Sequence, residues 1–168
     1  IYLLILAWKM MLLFHLQLYH LMNMRNINGH FLIILIYGKK ESELDNLMNY
    51  RLDNAKEKLE SAKLLLDAGK YRDSIGRSYY AIFTAVRAVL ANDKVDFSKH
   101  SGVIAYFQKE YIKTGKFDVK YSRYLQTAFQ IRNSCDYDDF FIASKQDAEE
   151  QYSRATEFYK EICNYLIK

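Results

Sequence analysis

A chain of 168 residues with no proline and only six glycines has few ways to turn sharply. Proline and glycine punctuate turn-rich β folds, so their scarcity argues against a sandwich and for a few long helices on short loops. The length suits one domain, or one domain with an appendage. A hydrophobic fraction of 51% beside 26% charged residues allows a real core under a charged surface. Two cysteines, Cys135 and Cys163, are too few for a disulfide framework or a four-ligand zinc site. They fit a reducing, cytoplasmic setting, and each is read as a small apolar filler in a helix.

The net charge of +4 is unevenly placed. Residues 1–40 hold Lys9, Arg25, Lys39 and Lys40 and no acid, so 20 basic and 20 acidic residues remain in 41–168. That neutral balance lacks the basic field expected of a duplex-DNA binder, and no DNA partner is expected.

Residues 1–41 form an apolar leader, with 18 apolar residues among the first 22 and a second run, FLIILIY, at 31–37. The length would admit a membrane anchor, but Lys9 near the middle costs about 2.5–3.5 kcal/mol on insertion scales. No basic stretch precedes the run, as a secretory signal would require. The first residue is Ile, so the favoured expectation is sequence lying ahead of the true start, with Met22, Met24 or Met48 as candidate starts; an anchor and an extra packed helix are the other readings. His15, His20 and His30 have no convincing ligand spacing, and no metal is expected. After Lys40 the composition changes, and the domain is placed at 42–168.

Five helices are legible in that domain. The first, about 43–68, carries Leu44, Met48, Leu52, Ala55, Leu59, Ala62 and Leu66 on one stripe. Ser42 is its candidate cap, and Gly69 its left-handed terminator. The second, about 71–91, has a core face of Ile75, Tyr79, Ile82, Phe83, Val86 and Leu90. Its many small residues permit close approach and mark it as the central helix. The third, about 98–113, turns Val103, Ile104, Phe107 and Tyr111 inward. The fourth, about 118–135, does the same with Tyr121, Leu125, Ala128 and Phe129. The fifth, about 145–167, repeats Ala148, Tyr152, Ala155, Tyr159, Ile162 and Leu166 behind a capping box, Ser144 with Asp147. The expected fold is all-α: an up-and-down antiparallel bundle of four long helices plus one shorter helix. Gly-rich phosphate loops, CxxC pairs, HExxH and GxSxG are absent, and no cofactor is expected.

Three clusters could carry chemistry. Arg132-Asn133-Ser134-Cys135-Asp136-Tyr137-Asp138-Asp139 falls at the end of the fourth helix and in the loop after it. A permanently charged, planar guanidinium suits phosphate; the plainer reading is a helix end with solvated acids and one structural ion pair. Arg77-Ser78-Tyr79-Tyr80 lies among small and aromatic residues, so Arg77 is expected to be partly covered and to need Asp73, Asp136 or Asp138 as its partner. Tyr80 can aim its hydroxyl at the same place. His100, the one histidine of the domain, is a candidate base or switch near neutral pH; more simply, it and Ser101 stabilise the first amides of the third helix. The twelve tyrosines of 41–168 are read mainly as core or interface, less as platforms for bases.

Taken in order, Leu59-Glu60-Ser61-Ala62-Lys63-Leu64-Leu65-Leu66 with Gly69-Lys70-Tyr71, then Arg77-Ser78-Tyr79-Tyr80-Ala81-Ile82-Phe83, then His100-Ser101-Gly102-Val103-Ile104 and Phe107, then Ile131-Arg132-Asn133 and Asp136-Tyr137-Asp138-Asp139-Phe140, resemble the HEPN family over about 48–166. The resemblance implies a helical bundle that forms a homodimer and often pairs, as toxin, with a nucleotidyltransferase antitoxin. Active members are metal-independent ribonucleases using an Arg, a polar residue and, several positions on, a His. Arg132 and Asn133 match the first half. Tyr137 stands where the histidine would, and no histidine follows His100. A phenol with a reference pKa of about 10 is a poor base at neutral pH. The resemblance therefore nominates Arg132, Asn133 and Tyr137 as catalytic, and Arg77, Tyr80, Asp136 and His100 as nucleotide- or RNA-binding. The alternative is a non-catalytic dimer that binds a nucleotide or a protein. A third reading makes Tyr137 the target of nucleotidylation by the partner.

Overall fold

The computed structural model describes residues 29–138 and 140–167, with side chains from residue 46 onward. The apolar run at 1–22 and Asp139 lie outside the described residues. Two compact units are distinguished, Ile1–Glu43 and Leu44–Lys168. In the first, residues 29–43 are helical; everything below concerns the second.

Among the described residues there are five helices and no strand: α1 (Gly29–Asp67), α2 (Tyr71–Asn92), α3 (His100–Phe107), α4 (Val119–Tyr137) and α5 (Lys145–Leu166). Helix α1 begins earlier than its periodicity suggests, so Ser42 lies inside it rather than capping it. Its end is as expected: Gly69 takes φ +71°, and the Lys70 amide reaches back to the Leu65 carbonyl at 2.8 Å, a left-handed closure that glycine reaches without strain. Helix α3 is shorter than expected and runs on as a π turn, Gln108–Ile112. The wider turn keeps Phe107 and Tyr111 both fully buried, with rings stacked 5.5 Å apart.

α2 is the central helix. Thirteen of its 22 residues are buried, and its alanines at 81, 85 and 88 have no exposed surface. Small side chains let α1 come close enough for the Ser74 hydroxyl to donate to the Ala62 carbonyl at 2.8 Å. Ile75, near the start of α2, packs with Cys135 at the end of α4 and Ala148 at the start of α5. α2 is thus antiparallel to α4 and parallel to α5, and the four long helices alternate in direction. α3 descends beside α2, from a contact at Tyr79 to a hydrogen bond from Tyr111 to the Val89 carbonyl.

The aromatic core joins Phe107, Tyr111, Phe117, Tyr121 and Phe158. Burying each large ring contributes roughly 1.5–3 kcal/mol. On α5 the buried row is Ala148, Gln151, Ala155, Phe158 and Ile162, while Tyr152 and Tyr159 are only half-buried. The capping box at its start is formed in full: Ser144 accepts from the Asp147 amide, and the Asp147 carboxylate accepts from the Ser144 amide at 3.1 Å.

Candidate functional site

Helix α4 continues two residues past its expected end, and this builds the site. Because Asp136 and Tyr137 remain helical, Asp136 lies one turn after Arg132 on the same face. Nη2 of Arg132 meets the Asp136 carboxylate at 2.7 Å and donates to the Tyr80 hydroxyl of α2 at 2.7 Å, while Nη1 donates to Asn133 Oδ1 at 3.1 Å. The guanidinium carbon sits 5.3 Å from the Tyr80 ring centre and 5.8 Å from that of Tyr137. The Arg132 side chain is 14% exposed, and its Nε is buried without a protein partner. Burial works against this cation, but Tyr80, Asp136 and Tyr137 outweigh it and raise its pKa, so the charge is secure. Tyr80 and Asp136, the two groups that hold Nη2, both line an open groove.

His100 opens α3 on the far side of the Tyr79–Tyr80 pair. Its Nδ1 is 2.8 Å from the Tyr79 hydroxyl, and its ring stacks on Phe83 at 4.2 Å. It does not serve the first amides of α3; the imidazole packs among the rings of Tyr79, Phe83 and Phe129, and the Tyr79 hydroxyl is its hydrogen-bond partner. Burial, with the positive charges of Arg132 and Arg87, pushes its pKa below the ordinary value of 6.5, so the ring is neutral at pH 7. Burial also pushes the Tyr79 phenol up, well beyond physiological pH. A neutral imidazole on a protonated phenol is the result.

Arg132, Asn133, Asp136, Tyr80 and His100 therefore converge where α2, α3 and α4 meet. Tyr137 is at the edge: its ring borders Arg132, but the residue is 78% exposed. Arg77 departs from expectation. It is exposed, and none of the ion pairs among the described residues includes it. The buried face of α2 runs through Ser74, Ile75, Ser78 and Tyr79, which leaves Arg77 on the opposite side with Asp73, Gly76 and Tyr80. There it lines an open groove of about 410 Å³ together with Tyr80 and Asp136. Two participants were not singled out as site residues. Tyr79 read as a plain core residue, and Arg72, also on the groove, carried no signal beyond its charge. Among the described residues no three His, Cys, Asp or Glu side chains converge, and no helix is long and apolar enough to cross a membrane.

Comparison with known proteins places this arrangement. The "Putative toxin MJ0142" of Methanocaldococcus jannaschii is 33% identical over 116 residues, covering 69% of this chain and 79% of the relative. A "UPF0332 protein" of Thermotoga maritima is 32% identical over 117 residues, 70% of this chain and 89% of the relative. The "Putative toxin MJ0605" of M. jannaschii is 34% identical over 86 residues, 51% of this chain and 64% of the relative. The HEPN domain family model matches residues 48–165, which contain every side chain of the site, and the chain accordingly belongs to the HEPN family.

Proposed function

We propose that this protein is the toxin-type half of a toxin–antitoxin pair, a homodimer that acts on RNA through Arg132 and is held in check by a nucleotidyltransferase partner. The observation that carries the reading is the fixed guanidinium, tied to Tyr80, Asn133 and Asp136. Relatives named as toxins, at 33% and 34% identity, support it.

Cleavage of a phosphodiester by its own 2′-hydroxyl passes through a phosphorane with extra negative charge. A preorganised cation contributes most when that charge develops, about 3 kcal/mol for a single donor on the scale of oxyanion holes. Arg132 is that element and Asn133 orients it. The proton from the 2′-hydroxyl needs an acceptor, and the leaving 5′-oxygen needs a donor. His100 and the exposed Tyr137 hydroxyl are the groups available for those roles. The chemistry needs no metal, and its rate is modest because Tyr137 stands where a histidine would be the better base.

The test is RNA cleavage by the purified full chain in excess EDTA, beside Arg132→Gln. The expected result is a wild-type product with a 5′-hydroxyl end, lost about 10²–10³-fold in the variant. No cleavage by the wild type, or equal cleavage by both, overturns catalysis. The exposure of Tyr137 favours one second reading, a non-catalytic dimer that binds nucleotide or partner and whose Tyr137 is nucleotidylated. Nucleotide-dependent stabilisation without turnover, and a mass shift at Tyr137 after incubation with the partner, are its signatures.

A further inference from the structure

The groove beside Arg132 has a floor, a wall and a charged rim. Gly76 is the floor: a Cβ built there meets nothing within 4 Å, so the helix backbone lies open to an approaching chain. Tyr80, whose hydroxyl already holds Arg132, is the wall. Arg72 and Arg77 are the rim, both exposed. Arg72 donates to the Asp138 carbonyl at 3.3 Å and so leans toward the end of α4.

Two acids, Asp73 and Asp136, line the groove with the arginines, but none of the ion pairs among the described residues joins either to Arg72 or Arg77. Asp136 is committed to Arg132. Asp73 sits in the first turn of α2, where the helix dipole favours an acid. Arg77 has a cation for a neighbour: Lys58 of α1 has its pKa lowered, by burial first and by Arg77 second. Crowded like charges beside an open groove are stabilised by an incoming anion. A volume of about 410 Å³ falls in the ~300–1,000 Å³ range of sites for small ligands.

We propose that this groove is a second phosphate subsite, in which Arg72 and Arg77 hold the phosphodiester adjoining the one at Arg132, with the intervening nucleotide laid over Gly76 against Tyr80. The ligand class is single-stranded RNA, whose backbone can follow a shallow helix face. The proposal rests on the RNA-directed reading of Arg132, and the experiment separates the two.

Binding of a fluorescein-labelled 2′-O-methyl oligoribonucleotide, which cannot be cleaved, is measured with the full chain between about 50 and 200 mM NaCl. Each phosphate neutralised on a single strand contributes about 0.7 to the salt slope, and Arg72 and Arg77 share one phosphodiester, so Arg72→Gln/Arg77→Gln lowers the slope by about 0.7 and weakens binding at least about tenfold. Gly76→Leu fills the floor and weakens binding comparably while its melting temperature holds or rises, since it replaces glycine in a helix interior and its Cβ meets nothing within 4 Å. If both groove variants keep wild-type affinity and slope while Arg132→Gln loses them, the subsite is overturned and the Arg132 reading stands. If the wild type binds no RNA, both fall.

Discussion

The Tyr80 hydroxyl accepts a 2.7 Å hydrogen bond from Arg132 across 52 positions of sequence, and this bond ties the central helix to the last turn of α4. Tyr80→Phe removes the acceptor and keeps the ring. A largely covered charged donor then loses a partner, which costs about 1–3 kcal/mol at a fully buried site and toward 1 kcal/mol here, where Asp136 still pairs with it. For a chain of this size that is a fall of roughly 2–4 °C in melting temperature. On the proposed function, RNA affinity drops further than stability does, because the guanidinium loses the hydroxyl that fixes its position. An unchanged affinity in the phenylalanine variant would show that Arg132 needs no aiming.

Asp96 holds the α2–α3 loop in place. Arg51 and Arg87 reach its carboxylate at 2.5 and 2.6 Å, the Phe97 amide donates to it at 2.9 Å, and Arg51 also donates to the Arg87 carbonyl at 2.8 Å. Partial burial pushes its pKa up, but the hydrogen bonds from Arg87, Arg51 and Phe97 outweigh this and set it at about 2. A carboxylate depressed in the folded state contributes stability above its unfolded pKa, and that stability is lost as pH falls from about 4 toward 2. The side chain is 44% exposed, so solvent screening limits the contribution to about 1 kcal/mol. Asp96→Asn is therefore less stable than wild type at pH 7, and the gap closes near pH 2. Melting curves across that range check it; a gap that persists at pH 2 contradicts the assignment.

The bundle was readable because apolar stripes on α1, α2 and α5 have the helical period and its alternatives lack turns to use. The site was readable only in pieces. Arg132 and Asp136 are one turn apart only if α4 runs to Tyr137, and a two-residue shift in a helix end is beyond what periodicity resolves. Arg77 sits among small and aromatic residues in sequence, yet a 100° step from Ser78 carries it to solvent. On α5 the tyrosine row and the Gln151–Phe158 row have the same spacing, and the choice between them depended on which side faced α2. Nothing local marks Gln151, a fully buried polar residue, as interior.

Gly102 gives a test of how tightly α3 is seated. A Cβ there would lie 3.0–3.1 Å from three side-chain atoms of Phe97. Phe97 cannot easily retreat: its ring packs 5.5 Å from Tyr106 and its amide is held by Asp96. Gly102→Ala gains up to about 1 kcal/mol in helix propensity, and overpacking costs typically 1–3 kcal/mol. The net expectation is a destabilised variant in chemical denaturation. A stabilised one would mean the loop from Asp96 to Lys99 yields freely.

The titration of His100 reports on Arg132 with no RNA present. Burial lowers its pKa first, and the charges of Arg132 and Arg87 lower it further. In Arg132→Gln its midpoint, followed by NMR of the imidazole carbons and assigned with a His100→Gln control, moves back toward 6.5 while remaining below it. The sign of the stability effect follows. A histidine whose folded pKa is depressed takes up its proton more readily when unfolded, so stability is complete above pH 6.5 and declines as pH falls below it. The decline is smaller in Arg132→Gln and absent at this site in His100→Gln. A His100 midpoint that ignores the loss of Arg132 would place the two charges in separate environments and remove His100 from any proton transfer beside that arginine.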